Sequence, residues 1–138
     1  MNDVTHVTAA EAWSVLGDEA GAMLVDVRTR AEWTFVGVPV LSDHAREPVF
    51  IEWQRFPTMA ENPDFATELE AAGAKPDTPL LFICRSGARS GAAALMMAGR
   101  GYSRCYNISD GFEGDLDPSR HRGAVAGWRA AGLPWAQG

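Results

Sequence analysis

A cysteine followed closely by two arginines and a glycine is the part of this 138-residue sequence best suited to chemistry. Cations near a cysteine favour its thiolate, which is the nucleophilic form of the side chain. Small residues after the cysteine allow the backbone to curl around the sulfur with its N–H groups pointing inward, and only Gly87 among them adopts positive φ without a steric penalty. An inert buried cysteine needs none of these neighbours. We therefore predict a nucleophile, Cys84, in an anion-binding loop formed by Cys84, Arg85, Ser86, Gly87, Ala88 and Arg89.

The residues around this loop predict a strand before it and a helix after it. Residues 80–83 are continuously apolar, as in a parallel strand buried on both faces. Residues 89–100 are apolar except for Ser90 and the terminal arginines, which is typical of a helix packed against a sheet. Cys84 is thus expected at the carboxyl end of a strand, beside the unpaired N–H groups of a helix amino terminus. Reactive groups of open α/β sheets collect at this edge.

Apolar runs alternate with helix start signals along the chain. Capping boxes that begin at Thr8 and Thr29 each predict a helix, and Asn62 followed by Pro63 predicts another. The predicted strands are residues 4–7, 22–27, 48–52, 80–83 and 104–108, and the predicted helices are residues 8–16, a short helix from 29, and residues 62–72, 89–100 and 125–131. Such alternation implies an α/β fold with a mostly parallel five-stranded sheet and helices on both faces. The length fits a single domain over residues 1–138.

Two acidic residues near the strand ends are expected to support the loop. Asp26 lies on an otherwise apolar strand, so it is most simply a buried carboxylate paired with Arg89 or Arg28. Glu32 is interpreted in the same way. We expect both carboxylates to maintain the shape of the loop rather than to transfer protons. Since the carboxyl ends of parallel strands share one edge, the mouth of the site is predicted to include Arg28, Arg30, residues 53–56, the cysteine loop and residues 109–113.

The composition excludes several classes of function. The net charge is −6 at pH 7 and no basic stripe is present, so nucleic acid is not an expected partner. The two cysteines, Cys84 and Cys105, form neither a metal-ligand pair nor a disulfide framework, which indicates a reducing compartment. The sequence has neither a secretory signal pattern nor a run of roughly 18 apolar residues. We expect a cytoplasmic protein with no membrane partner.

The sequence around Cys84 resembles the active-site loop of the rhodanese, or thiosulfate sulfurtransferase, family in its single-domain form. That loop is CRSGARS at residues 84–90, and further matches are LVDVR at 24–28 with Glu32-Trp33, Gly101-Tyr102, Asn107-Ile108 with Asp110-Gly111-Phe112, and Trp128 before residues 132–135. The resemblance spans nearly the whole chain. Two segments depart from the family pattern, residues 38–62 and an insertion at residues 113–126.

The resemblance implies an enzyme that transfers sulfane sulfur through a persulfide on Cys84. The implied donor is a small anion such as thiosulfate or a persulfide, and the implied acceptor is a thiol, cyanide or a protein. Covalent catalysis of this kind divides one transfer into two displacements. The loop residues Arg85 to Arg89 would bind the donor, with Asp26, Arg28 and Glu32 as structural support, and neither a metal nor an organic cofactor is required.

Two other classes of function compete with this interpretation. Phosphatases and arsenate reductases of related folds use loops that resemble Cys-x5-Arg, whereas the spacing from Cys84 to Arg89 is one residue shorter and suits a sulfur atom better than a phosphate. A regulatory binding module or a sulfur relay to a protein acceptor is the second alternative. Family members that have lost catalysis typically lack the cysteine, which this chain retains.

Overall fold

The computed structural model describes residues 3–137, which form a central sheet and four α-helices. The strands, in chain order, are β1 Val4–Val7, β2 Met23–Asp26, β3 Val38–Pro39, β4 Val49–Phe50, β5 Gln54–Arg55, β6 Ala60–Glu61, β7 Leu80–Ile83, β8 Cys105–Ile108 and β9 Trp135–Ala136. The helices are α1 Ala9–Asp18, α2 Arg30–Phe35, α3 Phe65–Ala71 and α4 Ala88–Gly99, and Ser42–His44 form a 3₁₀ turn. No helix within residues 3–137 has the length and apolar character needed to cross a membrane.

Five strands form the central sheet in the order β1-β8-β7-β2-β4, and every neighbouring pair in it is parallel. This order places β7 in the middle. Two short antiparallel pairs lie outside the sheet, β3 with β9 and β5 with β6. The predicted α/β class and five-stranded parallel sheet are confirmed.

The sheet has an apolar layer on each face because alternate side chains of β7 point in opposite directions. Leu80 and Phe82 belong to a buried cluster that includes side chains of α3 and α4. Leu81 and Ile83 belong to a second cluster that includes side chains of α1. The prediction of helices on both faces is therefore confirmed.

The helix starts follow the sequence signals in two cases and differ in a third. Both capping boxes form, at Thr8 before α1 and at Thr29 before α2. The predicted start of α3 at Asn62 is wrong, since Asp64 precedes the first helical residue. Asn62 instead accepts the Asp64 N–H at 3.0 Å and donates to the Glu52 carbonyl at 2.9 Å, so it joins the β5–β6 hairpin to the helix.

The predicted closing helix at residues 125–131 is also wrong, because that segment consists of bends and turns. Gly127 has φ +101° and donates its N–H to the Asp110 carboxylate at 3.2 Å. The Trp128 N–H is likewise bonded to the Gly111 carbonyl at 2.8 Å. These long-range hydrogen bonds hold the backbone against residues 110–114. They would be lost if residues 125–131 formed a continuous helix.

Candidate active site

Cys84 follows β7 directly, and its sulfur lies beneath the loop that leads into α4. The side chain is only 1% exposed. The Gly87 N–H donates to the sulfur at 3.1 Å, and the Ser90 hydroxyl lies 3.2 Å from it. Hydrogen bonds to the sulfur stabilise an anion there more than a neutral thiol. The loop thus provides one backbone donor and one hydroxyl to the same atom.

Residues 109–114 hold the loop in this curled shape. The Cys84 carbonyl accepts the Phe112 N–H at 2.8 Å, and the Arg85 carbonyl accepts the N–H groups of Glu113 at 3.0 Å and Gly114 at 3.1 Å. Gly87 has φ +107°, as its position before the helix requires. Because the two carbonyls face this neighbouring segment, the following N–H groups are able to turn toward the sulfur.

Arg89 and Glu32 form a double hydrogen-bonded ion pair beside the loop. The two Arg89 nitrogens lie 2.6 Å and 2.9 Å from the two Glu32 oxygens. Burial alone would raise the pKa of Glu32, but the hydrogen bonds and charge of Arg89 together with the Thr29 N–H outweigh it, so this pKa is lowered. The hydrogen bonds to Glu32 in turn raise the pKa of Arg89. The pair fixes the first turn of α4 against the start of α2.

Asp26 pairs with Arg28 rather than with Arg89. The ion pair is fully buried, with an N–O distance of 2.7 Å, and the Arg28 guanidinium lies 4.2 Å from the centre of the Phe112 ring. Phe112 is the residue whose N–H bonds to the Cys84 carbonyl. Arg28 thus contacts the residue that is bonded to Cys84, which is the position expected of a side chain that supports the loop. The prediction that Arg28 lies at the mouth is wrong, because its side chain is buried.

A chain of buried polar side chains, which the sequence prediction missed, extends from the sulfur through Ser90. The Ser90 hydroxyl donates to the Asn107 carbonyl oxygen at 2.6 Å. The Asn107 amide nitrogen lies 3.3 Å from the Gly87 carbonyl and 3.2 Å from His6 Nδ1. A polar residue on an otherwise apolar helix and another on a buried strand are the signals that the sequence offers. Their pairing orients the hydroxyl that contacts Cys84.

An open cleft of about 590 Å³ lies over the loop. It is lined by Glu32, Val36, Gln54, Met59, Arg85, Ala88, Arg89, Glu113 and Arg122. Among the predicted mouth residues, Gln54, Glu113 and the loop arginines do line the cleft. Trp53 instead packs against Phe65 of the core, with ring centres 5.2 Å apart, and Arg30 lies outside the lining. The sequence prediction did not include Arg122.

The described residues contain no cluster of three or more His, Cys, Asp or Glu side chains arranged to hold a metal ion. Cys84 and Cys105 are both free thiols. Cys105 lies in the core at the start of β8, and its burial raises the pKa of its thiol to about 11. Its surroundings therefore differ from those of Cys84, whose sulfur accepts the Gly87 N–H.

Comparison with known proteins supports membership of this chain in the rhodanese-like superfamily. Rhodanese-like domain-containing protein 4 from chloroplasts of Arabidopsis thaliana is 26% identical over 94% of this chain and 25% of its own length. Residues 4–138 match the family described as the STR4 middle domain, and the chain belongs to that family.

Three further proteins match this chain over almost its whole length. An uncharacterized protein of Rickettsia conorii, RC0915, is 39% identical over 96% of this chain and 97% of its own. The crystal structure of Rv0390 from M. tuberculosis superposes with a TM-score of 0.89 and 46% identity over the full length of both chains. The solution structure of a polysulfide-sulfur transferase homodimer from Wolinella succinogenes has a TM-score of 0.64 at 18% identity, covering 98% of this chain and 80% of its own.

Proposed function

We propose that the protein is a sulfurtransferase that carries sulfane sulfur as a persulfide on Cys84. The observation that carries this proposal is the pair of groups at the sulfur, the Gly87 N–H, which donates to it at 3.1 Å, and the Ser90 hydroxyl, which lies 3.2 Å from it. A backbone donor, together with a hydroxyl that is able to rotate and donate, suits an anion that persists there as either a thiolate or a persulfide. The Wolinella succinogenes protein has a similar fold and is a polysulfide-sulfur transferase, which supports a function in sulfur transfer for this chain.

The reaction consists of two displacements at sulfur. In the first, the Cys84 thiolate attacks the outer sulfur of thiosulfate, the S–S bond of the donor breaks, and sulfite leaves with the bonding electron pair. In the second, cyanide or a thiolate attacks the outer sulfur of the persulfide, and the Cys84 thiolate leaves with the electron pair. Each step conserves charge and needs neither a metal nor an organic cofactor.

The loop residues divide the work between binding the donor and holding the sulfur. Arg85 is exposed and lines the cleft, so it is the cation that meets an incoming anion. Arg89 is engaged with Glu32 and mainly fixes the geometry. The small side chains of Ser86, Gly87 and Ala88 leave room for the extra sulfur atom.

Ser90 changes its hydrogen-bonding role during this cycle. Its single hydroxyl hydrogen is directed to Asn107 at 2.6 Å, so in this arrangement the Ser90 oxygen faces the Cys84 sulfur as an acceptor. Once the sulfur is an anion, the hydroxyl rotates to donate to it. Asn107 acts through Ser90 and is a positioning residue.

The proposal also includes the compartment and the domain organisation of the protein. Two free thiols, both 1% exposed, fit a reducing compartment such as the cytoplasm. That residues 1–138 form a single domain remains a prediction. A sulfur relay with a protein acceptor uses the same first displacement and differs only in the second.

The test is the mass of the intact protein after incubation with thiosulfate, followed by cyanide. We expect a gain of one sulfur atom and its removal as thiocyanate. Cys84→Ser should show neither event, whereas Cys105→Ser should show both. A folded wild-type protein that gains no sulfur from thiosulfate, polysulfide or an organic persulfide would contradict the proposal and favour a regulatory binding module.

A further inference from the structure

The chain of polar side chains behind Cys84 ends at a histidine on the surface of the molecule. His6 is exposed on β1 and lies opposite Asn107 of β8 in the parallel ladder. Its Nδ1 atom is 3.2 Å from the Asn107 amide nitrogen, and the Asn107 carbonyl oxygen accepts the Ser90 hydroxyl at 2.6 Å. Two buried side chains thus connect the Cys84 sulfur to a titratable group in contact with water.

The Ser90 hydroxyl has one hydrogen, and two acceptors compete for it. In the arrangement observed, this hydrogen is directed to the Asn107 carbonyl oxygen, and the Asn107 amide nitrogen donates to His6. If the hydroxyl turned to donate to a Cys84 anion, two oxygen acceptors would face each other across 2.6 Å inside the protein. A buried acceptor without a donor is costly, so the hydroxyl serves the sulfur best when Asn107 changes its orientation as well.

Rotation of the Asn107 amide by a half-turn resolves this conflict. The amide nitrogen then donates to the Ser90 oxygen, and the amide oxygen faces His6 Nδ1. The Gly87 carbonyl, which lies 3.3 Å from the amide nitrogen, keeps another donor in the Gly91 N–H at 3.1 Å. The rotated amide needs an N–H at His6 Nδ1. An imidazolium always has this N–H, whereas a neutral imidazole has it in only one of its two tautomers.

We propose that His6 is a positioning residue, which as a donor to Asn107 turns the Ser90 hydroxyl toward the Cys84 sulfur and so stabilises its anion. This inference rests on the sulfurtransferase function proposed above and adds a residue of β1 to the same site. The proton that Cys84 loses goes to water, and the exposed His6 takes its proton from water. The anion and the imidazolium therefore favour each other with no direct transfer between them.

The elements packed against β1 bring few other charges toward His6. Alternate residues of a strand share a face, so His6 lies on the same face of the sheet as Asn107 and Cys105. The pKa of the Cys105 thiol is raised to about 11 by burial, which keeps it neutral at pH 7. The charged residues of α4 and its end are Arg89, which is already ion-paired, and Arg100. Among residues 3–137, no carboxylate oxygen lies within 4.0 Å of a His6 ring nitrogen.

The test is the rate constant for alkylation of Cys84 by iodoacetamide, measured by peptide mapping as a function of pH. His6→Ala removes the donor, so alkylation at about pH 6 should slow about fivefold, the effect expected of one hydrogen bond. The ratio of the wild-type rate to the variant rate should shrink toward one by about pH 9, where an ordinary imidazole is neutral. His6→Lys supplies a donor throughout this range and should restore the fast rate without that decline.

Two further variants distinguish a hydrogen-bonded chain from a charge that acts at a distance. Thr5→Lys adds a positive charge at an exposed neighbouring position on the opposite face of β1, so the rate should not change. Ser90→Ala removes the hydroxyl, so replacement of His6 by Ala or Lys in this background should have no further effect. A His6 effect that persists without the hydroxyl, or that Thr5→Lys reproduces, would overturn the inference.

The outcomes separate this inference from the proposed function, because alkylation reports on the Cys84 anion and needs no sulfur donor. Equal alkylation rates of His6→Ala and the wild type at about pH 6 would overturn the role of His6 while leaving sulfur transfer intact. Failure of wild-type Cys84 to gain sulfur from thiosulfate, polysulfide or an organic persulfide would instead contradict the sulfurtransferase function itself.

Discussion

The two thiols of the chain are both buried, yet their surroundings differ in kind. Cys84 receives the Gly87 N–H at 3.1 Å and lies beside the Ser90 hydroxyl. The nearest polar partner of Cys105 is the Tyr102 carbonyl at 3.6 Å, which can only accept a hydrogen bond. Burial raises the pKa of Cys105 to about 11. The Cys84 sulfur thus has a backbone donor that would stabilise an anion, whereas Cys105 itself donates to a carbonyl.

We predict that iodoacetamide alkylates Cys84 well before Cys105 in the folded protein. With a pKa of about 11, Cys105 is a thiolate in only about one molecule in ten thousand at pH 7, and its fraction grows tenfold per pH unit up to the pKa. Its alkylation should therefore remain slow at neutral pH and accelerate toward pH 11. Peptide mapping after timed alkylation measures both sites.

Cys105→Ser serves as the control for this measurement, since it should lose the slow phase alone. In denaturant the two rates should converge as burial is lost. Equal rates in the folded protein would show that the donors around Cys84 do not activate it.

Residue types in the sequence predict Cys84 as a nucleophile but do not reveal the partners of its supporting residues. Arg28 is one of two candidates for Asp26, and nothing in the spacing distinguishes it from Arg89. The contact between Ser90 and Asn107 joins residues 17 positions apart on different elements. Such a pairing depends on how α4 is positioned over β8, and hydrophobic patterns in the sequence do not specify that position.

At the scale of elements, the cysteine loop depends on close packing against residues 109–114. A β-carbon added at Gly87 would lie 2.4 Å from the Ser109 carbonyl oxygen, and one added at Gly111 would lie 2.4 Å from the Arg85 carbonyl oxygen. Both glycines have positive φ. The two segments therefore approach each other as closely as their backbones permit.

We predict that Gly87→Ala abolishes most persulfide formation and destabilises the protein more than Gly101→Ala does. Gly101 is a matched control because its φ is +100°, close to +107° at Gly87, but an added β-carbon would meet nothing within 4 Å. The strain of positive φ alone should cost about 1–2 kcal/mol in both variants. The collision with Ser109 adds to this cost only in Gly87→Ala.

Chemical denaturation and the mass-based transfer assay measure the two effects. Gly101→Ala should retain wild-type transfer at temperatures where it is folded. If both variants lost stability equally and kept full transfer, the close approach of the segments would not be what shapes the loop.

The strands and helices around the loop are predictable because periodicity and capping depend on residues close together in the sequence. The segments that connect these elements are not predictable in this way. Residues 125–131 have helical composition, but the bonds of Gly127 to Asp110 and of Trp128 to Gly111 form only after the chain has folded. The same argument applies to the β5–β6 hairpin, whose two strands contain only two residues each.

On the scale of the whole molecule, β7 is the middle strand of the sheet, and the candidate active site follows it directly. Beside its ladders with β2 and β8, the strand is bonded at its two ends, from the Leu80 N–H to the Arg104 carbonyl and from the Val27 N–H to the Ile83 carbonyl, both at 2.9 Å. At the sheet edge formed by β4, the Ile51 N–H bonds to the Asp26 carbonyl at 3.1 Å. Each of these amides is measurable by hydrogen exchange.

Because β7 is the central strand, the cysteine loop is expected to keep its structure for as long as the sheet remains folded. We predict that the Leu80 and Val27 amides exchange only through global unfolding, with a denaturant dependence equal to that of the whole protein, whereas Ile51 exchanges through smaller local openings. Native-state exchange at increasing denaturant separates these routes, and faster exchange at Leu80 than at Ile51 would contradict the assignment. A partly opened molecule whose edge strand has frayed should therefore still carry sulfur, so heat or denaturant should remove transfer activity in one cooperative transition with the sheet.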